Sequence, residues 1–220
     1  MEFPCTFWTQ FAILIKRMYV QSSRNTIALW IQLIHHVGSA LLVGGIFYQV
    51  GNNAAIPITN FKFCLCCLVF FLYTYIMTPV LLFPLQVEIL RREYFNRWYS
   101  LKAYYLALTF STIPLMMVLG SIFTAICYVL SGQILEWDRF LLFAFNGLIL
   151  AFCAEGFGLA IGATFRVTDG CIMAPSFSAP LLVLAHYGMG FGPKIEPLMR
   201  ALMTMSYMRY GAVGFTLALF

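Results

Sequence analysis

A chain of 220 residues that is 62% apolar and 17% aromatic, with only 10% charged side chains, departs far from the roughly 25% charged content of a soluble domain. That excludes a water-soluble enzyme of ordinary composition, and the better ruler is the bilayer core, about 30 Å thick and crossed by about 20 apolar residues per helix. The formal charge of +5 sits in short basic clusters that bear on membrane orientation, and no nucleic-acid partner is expected.

The first apolar stretch is interrupted by Lys16, Arg17 and Arg24 and has no small-residue cleavage site, so it does not read as a secretory signal peptide. Phe7, Phe11, Leu14 and Met18 follow the helical repeat, with Thr6, Gln10, Lys16, Arg17, Gln21 and Arg24 largely on the other side. This pattern predicts an amphipathic interfacial helix over residues 1–25, either a solvated face beside an anchor or a docking element for a partner.

Five apolar runs follow, near residues 26–48, 61–83, 104–132, 140–165 and 171–191. Each is too long for a strand and lacks the alternating polarity of a membrane barrel, and helices satisfy their own backbone groups in lipid. The expected fold class is an all-α integral membrane protein, a polytopic helical bundle within residues 26–220. Lys16, Arg17 and Arg24 precede the first span and Arg91, Arg92, Arg97 and Lys102 follow the second, which places the N-terminus in the cytoplasm by the positive-inside rule. Lys194, Arg200 and Arg209 run against it, but early loops dominate.

Within residues 86–99, Glu88 can pair with Arg92 and Glu93 with Arg97 at i, i+4, predicting a short surface helix after span two, with Trp98 and Tyr99 as interfacial aromatics at the return. In span one, Gln32, His36 and Ser39, with His35 adjacent, form a polar stripe that should face other helices. It reads either as interhelical hydrogen bonding or as the edge of a substrate path. Span four carries Glu155 near its middle, on a face shared with Ala151, Gly158 and Gly162. An ionised carboxylate at the bilayer centre costs about 2.5–3.5 kcal/mol, so Glu155 should face a packed or wet interior, as a structural or a functional group. Pro114, Pro175 and Pro180 can kink their helices, and Gly188, Gly190 and Gly192 loosen the end of span five.

The seven cysteines read as small packing residues, with Cys64, Cys66 and Cys67 on different faces of one span. His35, His36 and His186 do not form a metal-binding motif, and no metal site is expected. There is no phosphate loop, no H-E-x-x-H and no G-x-S-x-G. LSGQ at residues 130–133 is one glycine short of the LSGGQ signature and ends an apolar span, so it is rejected as a nucleotide site.

The basic helix ending at Arg24, the span containing His35 and His36 that leads into LLVGGIFYQVGN, and the loop PLQVEILRREYFNRWYS together resemble the membrane domain of ATP-binding cassette transporters of subfamily G, the White-type half transporters. AEGFGLAIGATF from Ala154, the proline-containing fifth span and SYMRYGAVGFTLALF from Ser206 are similar to later parts of that domain, and the likeness covers nearly all of the chain. The first span and AEGFGLAIGATF look closest to the lipid- and sterol-handling branch.

The resemblance implies a half transporter that pairs with a second half as homo- or heterodimer and exports lipids, sterols or other hydrophobic compounds. It also implies a plasma or intracellular vesicle membrane, and ATP and magnesium held on a nucleotide-binding domain. That domain and a sixth span lie outside the 220 residues, so the chain reads as a fragment or partial product with no enzymatic activity or cofactor of its own. Residues 192–220 would be an outward segment before the last span. By position, the first helix with Lys16, Arg17 and Arg24 would be the connecting helix, and Glu88, Arg91, Arg92, Glu93 and Arg97 the coupling helix. Gln32, His36, Ser39, Tyr73, Thr74, Thr78, Glu155, Pro175 and Ser176 would form a translocation path or polar interior, with spans two and five lining a cavity at the dimer axis. A helix-bundle receptor or channel subunit not powered by ATP is the alternative.

Overall fold

The computed structural model describes residues 5–52, 57–187 and 197–219. Gly188, Gly190, Gly192 and Lys194, and the end of the fifth predicted span, lie outside them. The described residues are helical with short turns and contain no strand. In chain order the helices are α1 (Phe7–Arg24), α2 (Thr26–Ile46), α3 (Pro57–Phe95), α4 (Leu101–Leu130), α5 (Trp137–Thr164), α6 (Val167–His186), α7 (Pro197–Met205) and α8 (Tyr207–Leu219). Helices α2 to α6 are long and apolar enough to cross a membrane.

The second span differs most from its expected form. No separate surface helix follows it, because α3 runs 39 residues through Pro79 and Pro84 to Phe95, about 58 Å at 1.5 Å per residue. A bilayer core takes about 30 Å of that length, so the charged last turns project beyond the apolar belt. The missing proline donors do not end the helix, since the polar turns beyond Pro84 carry the Glu88–Arg92 pair at 2.9 Å.

Helix α1 lies beside the first turns of α4, and Asn25 separates it from α2 while accepting from the Ala28 amide at 3.3 Å. Its apolar face packs Leu14 against Tyr99, Ala103 and Ala107, with Phe7, Phe11 and Met18 around them. Helix α2 buries only His36, Ala40 and Gly44, one residue per turn, and leaves Trp30, Ile34 and Leu41 exposed on an apolar outer face suited to lipid.

The seam between α3 and α5 is the centre of the bundle. On α5, Gly147, Ala151, Ala154, Gly158 and Gly162 are buried along one face. A methyl added at Gly158 would stand 2.5 Å from the Ile76 carbonyl oxygen, and one at Gly162 2.9 Å from that of Pro79. Only glycine admits this approach. Phe63, Phe71, Phe123, Phe143 and Phe215 fill the adjoining core, all with no exposed surface.

Phe215 belongs to α8. This 13-residue helix is too short to span, yet it packs inward: Asn146 of α5 donates to the Gly211 carbonyl at 2.8 Å. The LSGQ stretch proves to be a helix stop. Gly132 has a φ of 67°, in the left-handed region, and Gly51 donates to the Ser131 carbonyl at 2.9 Å.

Candidate functional site

Two polar constellations stand out, one inside the bundle and one where α1, α3 and α4 meet.

The interior one surrounds a cavity of about 650 Å³ between α1, α2, α3 and α4. Of the residues expected on a translocation path, Gln32, His36, Tyr73, Thr74, Thr78 and Glu155 line it, together with His35. Ser39, Pro175 and Ser176 do not. Ser39 lies nearly two turns beyond Gln32. Pro175 and Ser176 are on α6, which buries Gly170, Ala174 and Ser178 and packs on α3, α5 and α8, and the exposed Ser176 hydroxyl donates back to the Ile172 carbonyl at 2.7 Å.

Burial and hydrogen bonds order this wall. His36 Nδ1 lies 2.8 Å from the Gln32 carbonyl oxygen, which can only accept, so Nδ1 carries a proton. A neutral ring then accepts the Tyr75 hydroxyl at Nε2, 3.2 Å away. A doubly protonated ring would leave that hydroxyl to donate to the Met116 carbonyl at 3.3 Å. Tyr75 thereby ties α2 to α4 through α3. His35 Nε2 meets the Thr74 hydroxyl at 3.2 Å. Glu155 is half-buried, with the Thr112 hydroxyl beside its carboxyl. It stands 18 residues after Trp137 and 9 before Thr164, so about 27 Å and about 14 Å from the ends of α5. That places it nearer the α1 end of the bundle than the midpoint expected.

The second constellation is built on Glu93. The expected Glu93–Arg97 pair is not formed, because α3 ends at Phe95 and Arg97 turns away with a φ of 58° and an exposed side chain. Arg17 of α1 grips Glu93 instead, with its two terminal nitrogens 3.0 and 2.9 Å from the two carboxylate oxygens. Tyr99 donates to the same carboxylate. The Arg17 hydrogen bonds hold the Glu93 carboxyl below the usual carboxylate range, against the opposing effect of burial. Gln10, expected on the outer face of α1, is buried, and its side-chain oxygen accepts the Ser100 amide at 2.9 Å. Tyr99 is likewise buried, stacked on Tyr104, while Trp98 is exposed. Lys16, Arg24, Arg91 and Arg92 are exposed, and of these Arg92 pairs with Glu88.

Sequence reasoning missed Tyr75, Thr112, Gln10 and the Arg17–Glu93 link. The last joins residues 76 apart and leaves no local signal. Buried thiols are confined to Cys64, Cys67 and Cys127, whereas Cys5, Cys66 and Cys153 are exposed. Among the described residues, no three His, Cys, Asp or Glu side chains group as metal ligands.

The family model described as ABC-2 type transporter matches residues 9–220. The ABC transporter ATP-binding protein/permease wht-1 of Caenorhabditis elegans is 24% identical over 213 residues, which cover 96% of this chain and 31% of that protein. ABC transporter G family member 22 of Arabidopsis thaliana is 27% identical over 205 residues, 93% of this chain and 26% of the relative. Protein brown of Drosophila virilis is 31% identical over 121 residues, 53% of this chain and 17% of that protein. The chain thus spans less than a third of the length of these curated relatives.

Proposed function

From the premise that the chain belongs to the ABC-2 type transporter family, with G family members among its relatives, we propose that it is the substrate-translocating membrane part of an ATP-driven exporter of lipids, sterols or other hydrophobic compounds. The observation that carries this reading is the family match over residues 9–220, on a bundle that contains five helices apolar enough to span and a largely apolar cavity. ATP and magnesium act on a nucleotide-binding domain that works with this chain, and a second half transporter completes the path, as a homo- or heterodimer. The broad exposed face of α6, with Phe177, Pro180 and Val183, is available to that second half. The end bearing α1 faces the cytoplasm, consistent with Lys16, Arg17, Arg24, Arg91, Arg92 and Arg97 gathered there.

In this reading α1 is the connecting helix and the end of α3 the coupling helix. A push on Glu88, Arg91 or Arg92 is passed through the Arg17–Glu93–Tyr99 clasp to α1 and α4 together, rather than dissipated in a flexible loop. Apolar area supplies most of the cargo affinity, at about 25 cal/mol per Å², and Gln32, Thr74, Thr78 and Glu155 orient it. The test is cargo stimulation of ATPase activity in proteoliposomes holding the chain joined to its nucleotide-binding domain. A sterol or lipid should raise hydrolysis severalfold, and a flat response across lipids, sterols and apolar drugs contradicts the reading.

A further inference from the structure

The cavity between α1, α2, α3 and α4 has features that cargo passage alone does not require. It opens sideways: Ile31, Leu81, Leu82 and Ile89 line it and are also 62%, 45%, 50% and 52% exposed, so its rim is continuous with the apolar outer surface. At its α1 end it shares Arg17, Gln21 and Asn25 with an open face of α1 that also carries Lys16 and Arg24. Of the two carboxylates that line the cavity, Glu93 is already matched by Arg17, and Glu155 stands on α5 beside the Thr112 hydroxyl. Lys16 and Arg24 have no acidic partner among the described residues, which leaves two uncompensated cations near an apolar opening.

We infer that this cavity holds one acyl chain of an anionic phospholipid drawn from the adjoining leaflet, with its phosphate met by Lys16 and Arg24 and the polar side chains of Gln21 and Asn25. A volume of about 650 Å³ is that of a site for one drug-sized molecule, so it accommodates one chain while the second stays in the bilayer. A soluble anion would use the cations but not the apolar depth. A neutral lipid would use the depth but not the cations. The site needs no ATP and no second half, so its failure would leave the transport reading standing.

The test places the chain in phosphatidylcholine vesicles doped with either photoreactive phosphatidylserine or photoreactive phosphatidylcholine, each with its reactive group on one acyl chain. Labelled positions are mapped by peptide mass spectrometry. Phosphatidylserine should label the cavity residues Leu29, Met77 and Leu115 about fivefold or more above phosphatidylcholine, since each basic side chain near an anionic headgroup contributes about that factor. The exposed double variant Lys16→Gln/Arg24→Gln should bring the two lipids to near equality. Arg91→Gln/Arg97→Gln, which removes as much charge from the same end, should keep the preference. Equal labelling by both lipids in the parent, labelling confined to the outer face at Leu41 and Leu42, or a preference that survives Lys16→Gln/Arg24→Gln would each overturn the inference.

Discussion

Glu93 joins three segments through one carboxylate, with Arg17 at 2.9 and 3.0 Å and Tyr99 on the same group. The Arg17 side chain is half-exposed, so the ion pair itself contributes about 1 kcal/mol or less. Glu93→Gln keeps the shape and loses the charge, and it should lower thermal stability only slightly at neutral pH. The sign with pH follows from the depressed carboxyl. Its contribution is complete above the unfolded carboxylate pKa of about 4.3 and disappears as pH falls through the lower folded value. Melting curves in detergent should therefore show parent and Glu93→Gln converging below about pH 4, and a gap that widens on acidification would contradict the assignment. Glu155 tests differently. If it orients cargo or titrates during transport, Glu155→Gln should change transport or its pH dependence with insertion intact, and transport matching the parent across pH would assign it to structure alone. Glu155 was visible in sequence because a carboxylate inside an apolar run is rare. The partners of Glu93 were not, because a bidentate pair between distant helices depends on how α1 lies on α4, which no local pattern encodes.

Helices are where the sequence was most readable. Long apolar runs must be helical in lipid, and each of the five runs meets a helix long and apolar enough to span, with described ends shifted by a few residues except at α3, which runs twelve residues further, to Phe95. The difference at α3 has a physical cause: the apolar run ends near Phe83 but the helix does not, because Pro84 removes one helical hydrogen bond without unwinding a helix held on both sides by packing and by charge pairs. The seam between α3 and α5 was half-readable from Gly158 and Gly162, although nothing local says which helix they meet. It yields a paired prediction. Gly158→Ala places a methyl 2.5 Å from the Ile76 carbonyl and should cost about 1–3 kcal/mol by overpacking, seen as a lower melting temperature. Gly156→Ala, with nothing within 4 Å, should be neutral or stabilising by up to about 1 kcal/mol. Equal behaviour of the two variants would show that the seam is not as tight as described.

At the scale of the whole molecule, the bundle has a compact aromatic core at the α8 end and a wetter, charged end where α1, α3 and α4 meet. The inward packing of α8 was not legible, since its 13 residues are too few for a span and their fit to Phe71 and Phe143 is a tertiary event. Under the proposed coupling role, force would enter at the last turns of α3, with the cavity just beyond the clasp. The most direct measurement is the ratio of cargo moved to ATP hydrolysed, in inside-out vesicles containing the chain with its nucleotide-binding domain, for the parent and for Glu93→Ala. The account predicts ATP-dependent accumulation of a hydrophobic cargo by the parent, and in Glu93→Ala a ratio several-fold lower at normal expression and near-normal hydrolysis. Absence of ATP-dependent accumulation in the parent, or an unchanged ratio in Glu93→Ala, would contradict it.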